Sequence, residues 1–328
     1  MPKQPAPLPT TLGAHFSTTT AVQSGVNRRR LRAKDLTVPF RGARRTTADI
    51  AAEEKENEED TAPLAISRAT ARGVRSKALS FLQVMPEGSF VCGKSAAAMR
   101  GYPITPDKDL DVGILSPRRS PRGSGVKGRR IEPHLVEIEL LDGIPISTPA
   151  STWAMLANEL SVRELTQLAD AILQIPRDNH GHLHPEQAGG TIAELQAMID
   201  AGRRIGVNKL REALGHARVG SASPLETDYR LDAEADGLPE PELDVEIRDV
   251  RGRLLGISEI VYPVYKTVVE VEGDHHRTSR RQWNRDIQKY RDYAAAGWEV
   301  VRLTSTHINV TRTATRIVRE VLVRRRPR

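Results

Sequence analysis

The amino-acid sequence predicts a mixed α/β protein, α+β overall, with more than one domain. Length is the first reason, because 328 residues exceed the ~100 to 200 that one domain usually contains. The second reason is the order of elements after residue 224, where predicted helices and strands follow one another as α-β-β-β-α-β-α. The third is a helix-turn-helix pattern near the start of the chain, which is typical of a separate module.

These patterns divide the chain into five segments. They are a helix-turn-helix or winged-helix DNA-binding region (1–50), an acidic linker (51–64), a small α+β domain with a helical connector (65–206), a second α/β domain (207–310) and a basic C-terminal helix or tail (311–328). The linker is predicted because the run AAEEKENEED is acidic and polar throughout.

Composition indicates a cytoplasmic protein that does not enter membranes. No stretch reaches the ~18 apolar residues of a membrane span, and the polar, Pro-rich start lacks the apolar region of a signal peptide. The single cysteine, Cys92, excludes an internal disulfide and a zinc site made of several thiolates. His180, His182 and His184 alternate in a Gly- and Pro-flanked segment, for which we favour a solvated loop over a metal site.

The net charge of +7 is unevenly distributed along the chain. Residues 1–50 hold nine Lys or Arg against two acids, and residues 277–328 hold fourteen against four. The sequence between these ends is acidic. Two basic ends predict surfaces that bind a polyanion, and nucleic acid, here DNA, is the expected partner. Ordinary solvated basic faces are the alternative.

Residues 15–45 predict a helix-turn-helix. Ser17 or Thr18 would cap the first helix, Gly25 would form the turn and Asn27 would cap a second, basic helix. In this geometry the second helix faces the major groove of DNA. Its arginines are therefore the candidate nucleic-acid-binding residues of the N-terminal region, namely Arg28, Arg29, Arg30 and Arg32. A helical hairpin with a purely structural role is the alternative.

The middle of the chain mixes short strands and helices without the spacing of a catalytic set. Ser161 and Glu164 form a capping box that predicts a helix starting at residue 162. The alternating acids Asp107, Asp109 and Asp111 are interpreted as the end of a loop and the start of a strand, not as metal ligands.

The strongest functional pattern is a set of glutamates near the end of the chain. In the predicted strand KTVVEVEG, Glu270 and Glu272 lie on one face, because side chains alternate along a strand. A tight turn near Val264 would pair this strand with the preceding one and place Glu259 directly opposite Glu270. Like charges in that position destabilise a sheet unless a cation binds between them, and Mg²⁺ and Mn²⁺ prefer carboxylate oxygens. With Glu226 from the preceding helix, the four glutamates are the predicted ligands of Mg²⁺ or Mn²⁺.

Basic and imidazole groups follow these glutamates. Gly273 permits a sharp turn, after which His276 stands where an imidazole could position or deprotonate a water molecule. The next helix is strongly basic and supplies Arg277, Arg281 and Arg285 as further candidate nucleic-acid-binding residues. Carboxylates beside a cationic surface suit the binding and hydrolysis of a phosphodiester. A solvated acidic hairpin beside a basic helix is the alternative.

These segments resemble the very short patch repair endonuclease-like domain of actinobacterial proteins, a branch of the PD-(D/E)xK, or restriction-endonuclease-like, nucleases. The resemblance covers residues 224–308 and rests on Glu226, Glu259, Glu270-Val-Glu272-Gly273-Asp-His-His276, Arg285-Asp286 and Gly297-Trp298-Glu-Val-Val-Arg302-Leu-Thr304. It implies a restriction-endonuclease-like three-layer α/β core with a mixed sheet, and metal-dependent phosphodiester cleavage, with Glu259, Glu270, Glu272 and His276 as catalytic residues. The family usually has aspartate in place of Glu259 and often in place of Glu272. The lysine of the parent superfamily's motif is absent after Glu270.

The upstream region resembles the winged-helix antitoxins of AbiEi-like, type IV toxin-antitoxin systems, over Thr19 to Arg45 and Gly93 to Pro103. Together the two resemblances imply a DNA-binding protein with a metal-dependent endonuclease domain. A non-catalytic transcriptional regulator or antitoxin that retains the nuclease fold as a scaffold is the main alternative. A role in RNA processing is a third, because basic surfaces do not distinguish nucleic acids.

Overall fold

The structure confirms the mixed α/β class predicted from the sequence. The described residues of the computed structural model are 5–62, 64–178, 180–272 and 280–327, with only the backbone described for 280–286. Two compact units are present, Met1–Leu156 with Asp200–Arg203, and Ala157–Ile199 with Arg204–Arg328. None of the helices in these ranges combines the length and the apolar character that a membrane span requires.

The first unit begins with a small antiparallel sheet in the order β1-β3-β2. Its elements are β1 His15–Ser17, helix α1 Thr18–Gln23, β2 Leu36–Thr37 and β3 Ala43–Thr46. The Ser17 hydroxyl accepts a hydrogen bond from the Thr20 N–H, so Ser17 caps α1 as the sequence predicts. Gly25 adopts a φ of 85° at the predicted turn, where a residue without Cβ is favoured.

The prediction of a recognition helix after Gly25 is wrong. Residues Arg30–Arg32 form a 3-10 helix of three residues, which is too short to present a face to a major groove. Arg30 also turns toward the protein, since its guanidinium donates hydrogen bonds of 2.8 and 2.6 Å to the two carboxylate oxygens of Asp35. This paired contact holds the chain in a compact turn and removes Arg30 from the candidate DNA contacts. The arginines that remain exposed are Arg28, Arg29 and Arg32.

The predicted acidic linker is also wrong, because its residues form a helix. Helix α2 spans Thr47–Glu59 and is followed by α3, Ala65–Leu82. Alanine and glutamate are good helix formers, and the Thr46 hydroxyl caps α2 by accepting the Asp49 N–H. The helix has no buried residue, so it is exposed as predicted.

A five-stranded mixed sheet in the order β6-β5-β4-β8-β7 completes the first unit. Its elements are β4 Ser89–Val91, α4 Gly93–Met99, β5 Leu110–Leu115, β6 Val126–Ile131, β7 Ile138–Leu141, β8 Ile144–Ser147 and α5 Pro149–Met155. Asp111 is buried on β5, where its carboxylate accepts hydrogen bonds from the Ser95 N–H and the Arg129 guanidinium. Asp107 pairs with Lys94 and Lys127.

The second unit contains the element order α-β-β-β-α-β-α predicted after residue 224. Its helices are α6 Val162–Leu173, α7 Ile192–Asp200, α8 Val207–His216, α9 Pro224–Ala235, α10 Arg280–Ala295 and α11 Ala314–Arg324. Its strands are β9 Glu242–Arg248, β10 Leu254–Tyr262, β11 Thr267–Glu272 and β12 Glu299–Thr304. The sheet order is β12-β11-β10-β9, with β12 parallel to β11 and the other neighbours antiparallel, so the sheet is mixed.

Helices cover both faces of this sheet. Tyr229 of α9 and Val318 of α11 share one core with the sheet residues Ile260 and Val269. On the opposite face, Tyr293 of α10 packs with Ile247, Val261 and Val268. The arrangement is therefore helix, sheet, helix in three layers.

The second unit begins at residue 157 rather than at the predicted residue 207. Helix α6 begins with the predicted capping box of Ser161 and Glu164. It belongs to this unit because its side chains bind those of α9. Asp170 of α6 and Arg230 of α9 form a 2.7 Å ion pair whose side chains are only 1% and 4% exposed.

We expect Arg30→Ala to destabilise the first unit by about 1 to 2 kcal/mol, because Asp35 would lose both charge-assisted hydrogen bonds. Arg28→Ala is the matched control, since Arg28 is exposed and its loss should change stability by less than ~0.5 kcal/mol. Chemical denaturation followed by circular dichroism measures both. Equal effects of the two substitutions would show that the Asp35 contact is not structural.

Candidate functional site

Three glutamates from three elements of the second unit lie together. Glu226 comes from the first turn of α9, Glu259 from β10 and Glu270 from β11. Glu226 and Glu270 are buried, at 3% and 8% exposure, and Glu259 is partly buried. The charges of Glu226 and Glu270 both act on Glu259, so three of the four predicted metal ligands lie near one another.

An irregularity in β10 explains how Glu259 reaches this position. Ser258 hydrogen-bonds Tyr293 of α10, and Val261 packs against the same tyrosine, whereas Ile260 packs on the opposite face. Strict alternation would place Ser258 and Ile260 on one face, so the alternation breaks at Glu259. The neighbouring strand β9 is irregular at the same level, where Asp244 has a φ of 52°.

The sequence predicts Glu259 opposite Glu270, and the paired residues of β10 and β11 end one step before these two glutamates. The paired register of β10 and β11 runs from Tyr262 opposite Thr267 to Ile260 opposite Val269. The next N–H of β11 on that side, from Val271, donates a 3.0 Å hydrogen bond to the Glu259 carboxylate. A side-chain carboxylate thus takes the place of a backbone acceptor where the two strands separate.

Glu226 is held by the N-terminus of its own helix. The Ser223 hydroxyl caps α9 by accepting the Glu226 N–H, and the Ala222 N–H donates a 2.8 Å hydrogen bond to the Glu226 carboxylate. The next residue, Thr227, donates its hydroxyl proton to Asp170 at 2.8 Å. The first turn of α9 is therefore fixed by contacts on both sides of Glu226.

Burial and mutual repulsion change the ionisation of this cluster. Burial raises the pKa of Glu226 to about 7, and the charge of Glu270 contributes in the same direction. Burial raises the pKa of Glu259 to about 8, with further contributions from the charges of Glu226 and Glu270. Without a cation, the cluster therefore retains protons at pH values where ordinary glutamates are ionised.

A lysine that the sequence did not assign to the site lies against these carboxylates. The Lys289 ammonium of α10 donates hydrogen bonds to the Glu270 carboxylate at 2.9 Å and to the Ile257 carbonyl at 2.7 Å. The sequence predicts a basic helix here, whereas the superfamily motif places its lysine in the strand after Glu270. The available signal was the spacing of Lys289 and Tyr293, which puts both residues on one face of α10.

Gly256 allows α10 to approach the sheet closely enough for this contact. A Cβ atom at residue 256 would lie 2.6 Å from the Tyr293 hydroxyl and 3.1 Å from Cγ of Lys289. Both distances are shorter than ordinary van der Waals contacts. A glycine at this position of β10 is therefore part of the arrangement that places Lys289.

The remaining predicted site residues are placed differently. Glu272 forms an ion pair with Arg302 of the neighbouring strand β12. His276 and Arg277 lie outside the described residues, as do the side chains of Arg281 and Arg285.

The alternating histidines lie on a separate loop of the second unit. His182 and His184 both contact the carboxylate of Asp178, at 3.2 and 3.6 Å, and His182 is 77% exposed. The loop is thus solvated, as the sequence predicts.

The chemistry of the three glutamates fits a hard divalent cation. Each offers carboxylate oxygens, which Mg²⁺ and Mn²⁺ prefer, and a cation would offset the burial and the repulsion that keep protons on Glu226 and Glu259. Within the described ranges, no three carboxylate, imidazole or thiol groups already stand in a ligand arrangement. The Glu270 oxygen is engaged by Lys289 and the Glu259 oxygen by Val271, so a cation would have to replace these contacts.

Comparisons with known proteins give no family for this chain. No protein-family model matches it, and no curated protein does. Among solved structures, a match is the crystal structure of the RV2827C protein from Mycobacterium tuberculosis, with 15% sequence identity and a TM-score of 0.33, covering 76% of this chain and 87% of that chain. This similarity is too low to assign a fold family or a function.

We expect the metal-free second unit to lose stability as pH rises from about 5 to about 8. Glu226 and Glu259 have folded pKa values of about 7 and about 8 against an ordinary value of 4.5, so the folded state binds more protons within this window. Their stabilising contribution is complete below pH 4.5 and is lost as pH passes the folded pKa values. Chemical denaturation in EDTA at several pH values measures the free energy of unfolding and its pH dependence.

Glu259→Gln should flatten this pH dependence, because the amide does not ionise. Glu242→Gln is the matched control, since Glu242 is exposed at the start of β9. Mn²⁺ should stabilise the wild type more at pH 8 than at pH 6, because a cation competes with the protons. A pH profile identical for the wild type and Glu259→Gln would contradict a shared, proton-retaining cluster.

Proposed function

We propose that the second unit is a metal-dependent nuclease that hydrolyses phosphodiester bonds of DNA. The observation that carries the proposal is the convergence of Glu226, Glu259 and Glu270 with Lys289 where β10 and β11 separate. Two buried acids and one partly buried acid beside a lysine are unfavourable for folding alone, because burial of like charges costs free energy. Such arrangements are concentrated at functional sites.

Each group has a role that follows from its chemistry. Glu226, Glu259 and Glu270 would hold Mg²⁺ or Mn²⁺, which supplies Lewis acidity and an activated water molecule when bound. Lys289 would turn from Glu270 toward the phosphate and stabilise the negative charge that develops during hydrolysis. It would thereby supply from a helix the positive charge that related nucleases carry in the strand motif.

The first unit would contribute nucleic-acid binding of a less specific kind than the sequence predicts. Without a recognition helix, the exposed Arg28, Arg29 and Arg32 are suited to phosphate contacts, which do not read base sequence. Cytoplasmic location and the choice between DNA and RNA stay expectations drawn from composition and charge.

The test is a cleavage assay on duplex DNA, single-stranded DNA and RNA with Mg²⁺, Mn²⁺ or EDTA. We expect metal-dependent cleavage of DNA that Glu270→Gln reduces at least ~100-fold, because the substitution removes a ligand charge at nearly constant shape. Lys289→Ala should reduce cleavage by ~100-fold or more through loss of charge stabilisation. Glu242→Gln should cleave as the wild type does.

Absence of cleavage with every metal, together with no stabilisation by Mn²⁺, would overturn the proposal. The alternative, a non-catalytic regulator with a retained nuclease fold, would then be favoured. In that case Glu259→Gln should stabilise the metal-free protein at pH 8, because it removes a carboxylate that Glu226 and Glu270 repel from a site that gains nothing from a cation.

A further inference from the structure

A cavity of about 360 Å³ lies between α10 and the edge strand β12, outside the carboxylate cluster. Its walls include two aromatic side chains, Tyr290 and Trp298, with Ala294 and Val300 beside them and Arg325 at the rim. The size lies within the range of small-molecule sites in proteins, ~300 to 1,000 Å³. We propose that this cavity binds an unpaired nucleobase of the nucleic acid that the carboxylate cluster cleaves, an inference that rests on the proposed function.

The walls of the cavity suit a flat aromatic ligand. Trp298 is half-buried and packs on the α10 side of the sheet, so one part of its indole is supported by the core while the rest faces the cavity. Arg325 is fixed because its guanidinium donates hydrogen bonds to the carbonyls of Tyr265 and Gly297, at 2.7 and 2.6 Å. Aromatic and guanidinium planes are the groups on which proteins stack bases.

The charge at the rim does not repel a polyanion. Glu299 is the acid that lines the cavity, and it forms ion pairs with both Arg324 and Arg325. One carboxylate thus faces two guanidinium groups, which leaves the rim cationic. An apolar peptide would gain nothing from this charge, whereas a nucleotide would place its phosphate beside it.

The cavity and Arg302, the residue of β12 opposite Glu270, lie along the same strand. Arg302, which pairs with Glu272, lies with its guanidinium carbon 5.5 Å from the centre of the Tyr290 ring. Arg302 is opposite Glu270 in the sheet, and Val300 in the cavity wall is two residues away. Trp298 is two residues further, so the cavity lies roughly 7 to 13 Å along the strand from the level of Glu270. That distance spans about two to four nucleotides at the ~3.4 Å step of stacked DNA.

A base can enter this cavity only when it is outside a duplex. In a helix both faces of a base are covered by its neighbours, and its edge is paired. The preferred substrate should therefore contain single-stranded or locally unpaired nucleotides a short distance from the cleaved bond. The same stacking chemistry is available in DNA and RNA, so both are compared below.

The test measures binding in EDTA, where cleavage cannot occur, with a fluorescent single-stranded DNA, the RNA of the same sequence and the blunt DNA duplex. We expect the wild-type full chain to bind one of the single strands more tightly than the duplex. Ala294→Leu should weaken single-strand binding by about tenfold, because it fills the cavity from the exposed surface of α10 and prevents stacking. Binding of the duplex should not change.

Ala295→Leu is the matched control, because Ala295 is the next residue of α10, is exposed and does not line the cavity. Equal effects of the two leucines, or tighter binding of the duplex by the wild type, would overturn the inference. Trp298→Phe retains a stacking surface and should keep most of the single-strand affinity. This binding measurement is independent of the cleavage assay. A protein that prefers single strands but never cleaves would contradict the proposed nuclease function, while base binding in the cavity would still be supported.

Discussion

The buried ion pair between Asp170 and Arg230 fixes the part of the second unit on which the site depends. Breaking such a pair on one side costs about 3 to 5 kcal/mol, because an uncompensated charge stays inside the protein. Asp170 also accepts hydrogen bonds from the Thr227 hydroxyl and the Arg218 N–H, so one carboxylate connects α6, α9 and the chain between α8 and α9. Burial raises the pKa of Asp170 despite these contacts. The pair anchors the helical turn that carries Glu226.

A second constraint acts in the opposite direction. Glu226, Glu259 and Glu270 are held close together, and the repulsion among them grows as Glu226 and Glu259 lose their protons. The fold tolerates this because backbone N–H groups satisfy Glu226 and Glu259 while the Lys289 ammonium satisfies Glu270. The contacts around Asp170 hold α9 in place. The repulsion between the glutamates therefore cannot be relieved by a movement of α9 away from the sheet.

Much of this architecture could be predicted from the sequence, because it follows from local patterns. The alternation of KTVVEVEG predicts a strand with Glu270 and Glu272 on one face, and the pattern after residue 224 predicts the order of elements. The mixed sheet with helices around it is what the family resemblance implies. The positions that sequence analysis missed depend on contacts between distant residues. The irregularity at Glu259 breaks the period of two that the prediction assumes, and Lys289 reaches Glu270 only because α10 folds back over β11.

The N-terminal region illustrates the same limit on a smaller scale. Ser17 and Gly25 have local roles, as helix cap and turn, and both are seen in the structure. Asn27 as a helix cap and the four arginines after it predict a recognition helix. Arg30 instead pairs with Asp35, five residues later, and that pairing favours a compact turn over a continued helix. Clustered arginines do not by themselves distinguish a DNA-facing surface from a structural one.

Gly256 gives a way to recognise functional divergence among relatives of this chain. The missing Cβ sets the spacing between the helical layer and the sheet, and the spacing decides whether Lys289 can reach Glu270. A relative could keep all three glutamates and still carry alanine or a larger residue at this position, in which case the lysine would be displaced while the acids remained. The glycine, which carries no charged group itself, would then be the more informative position for separating relatives that keep the lysine contact from those that have lost it.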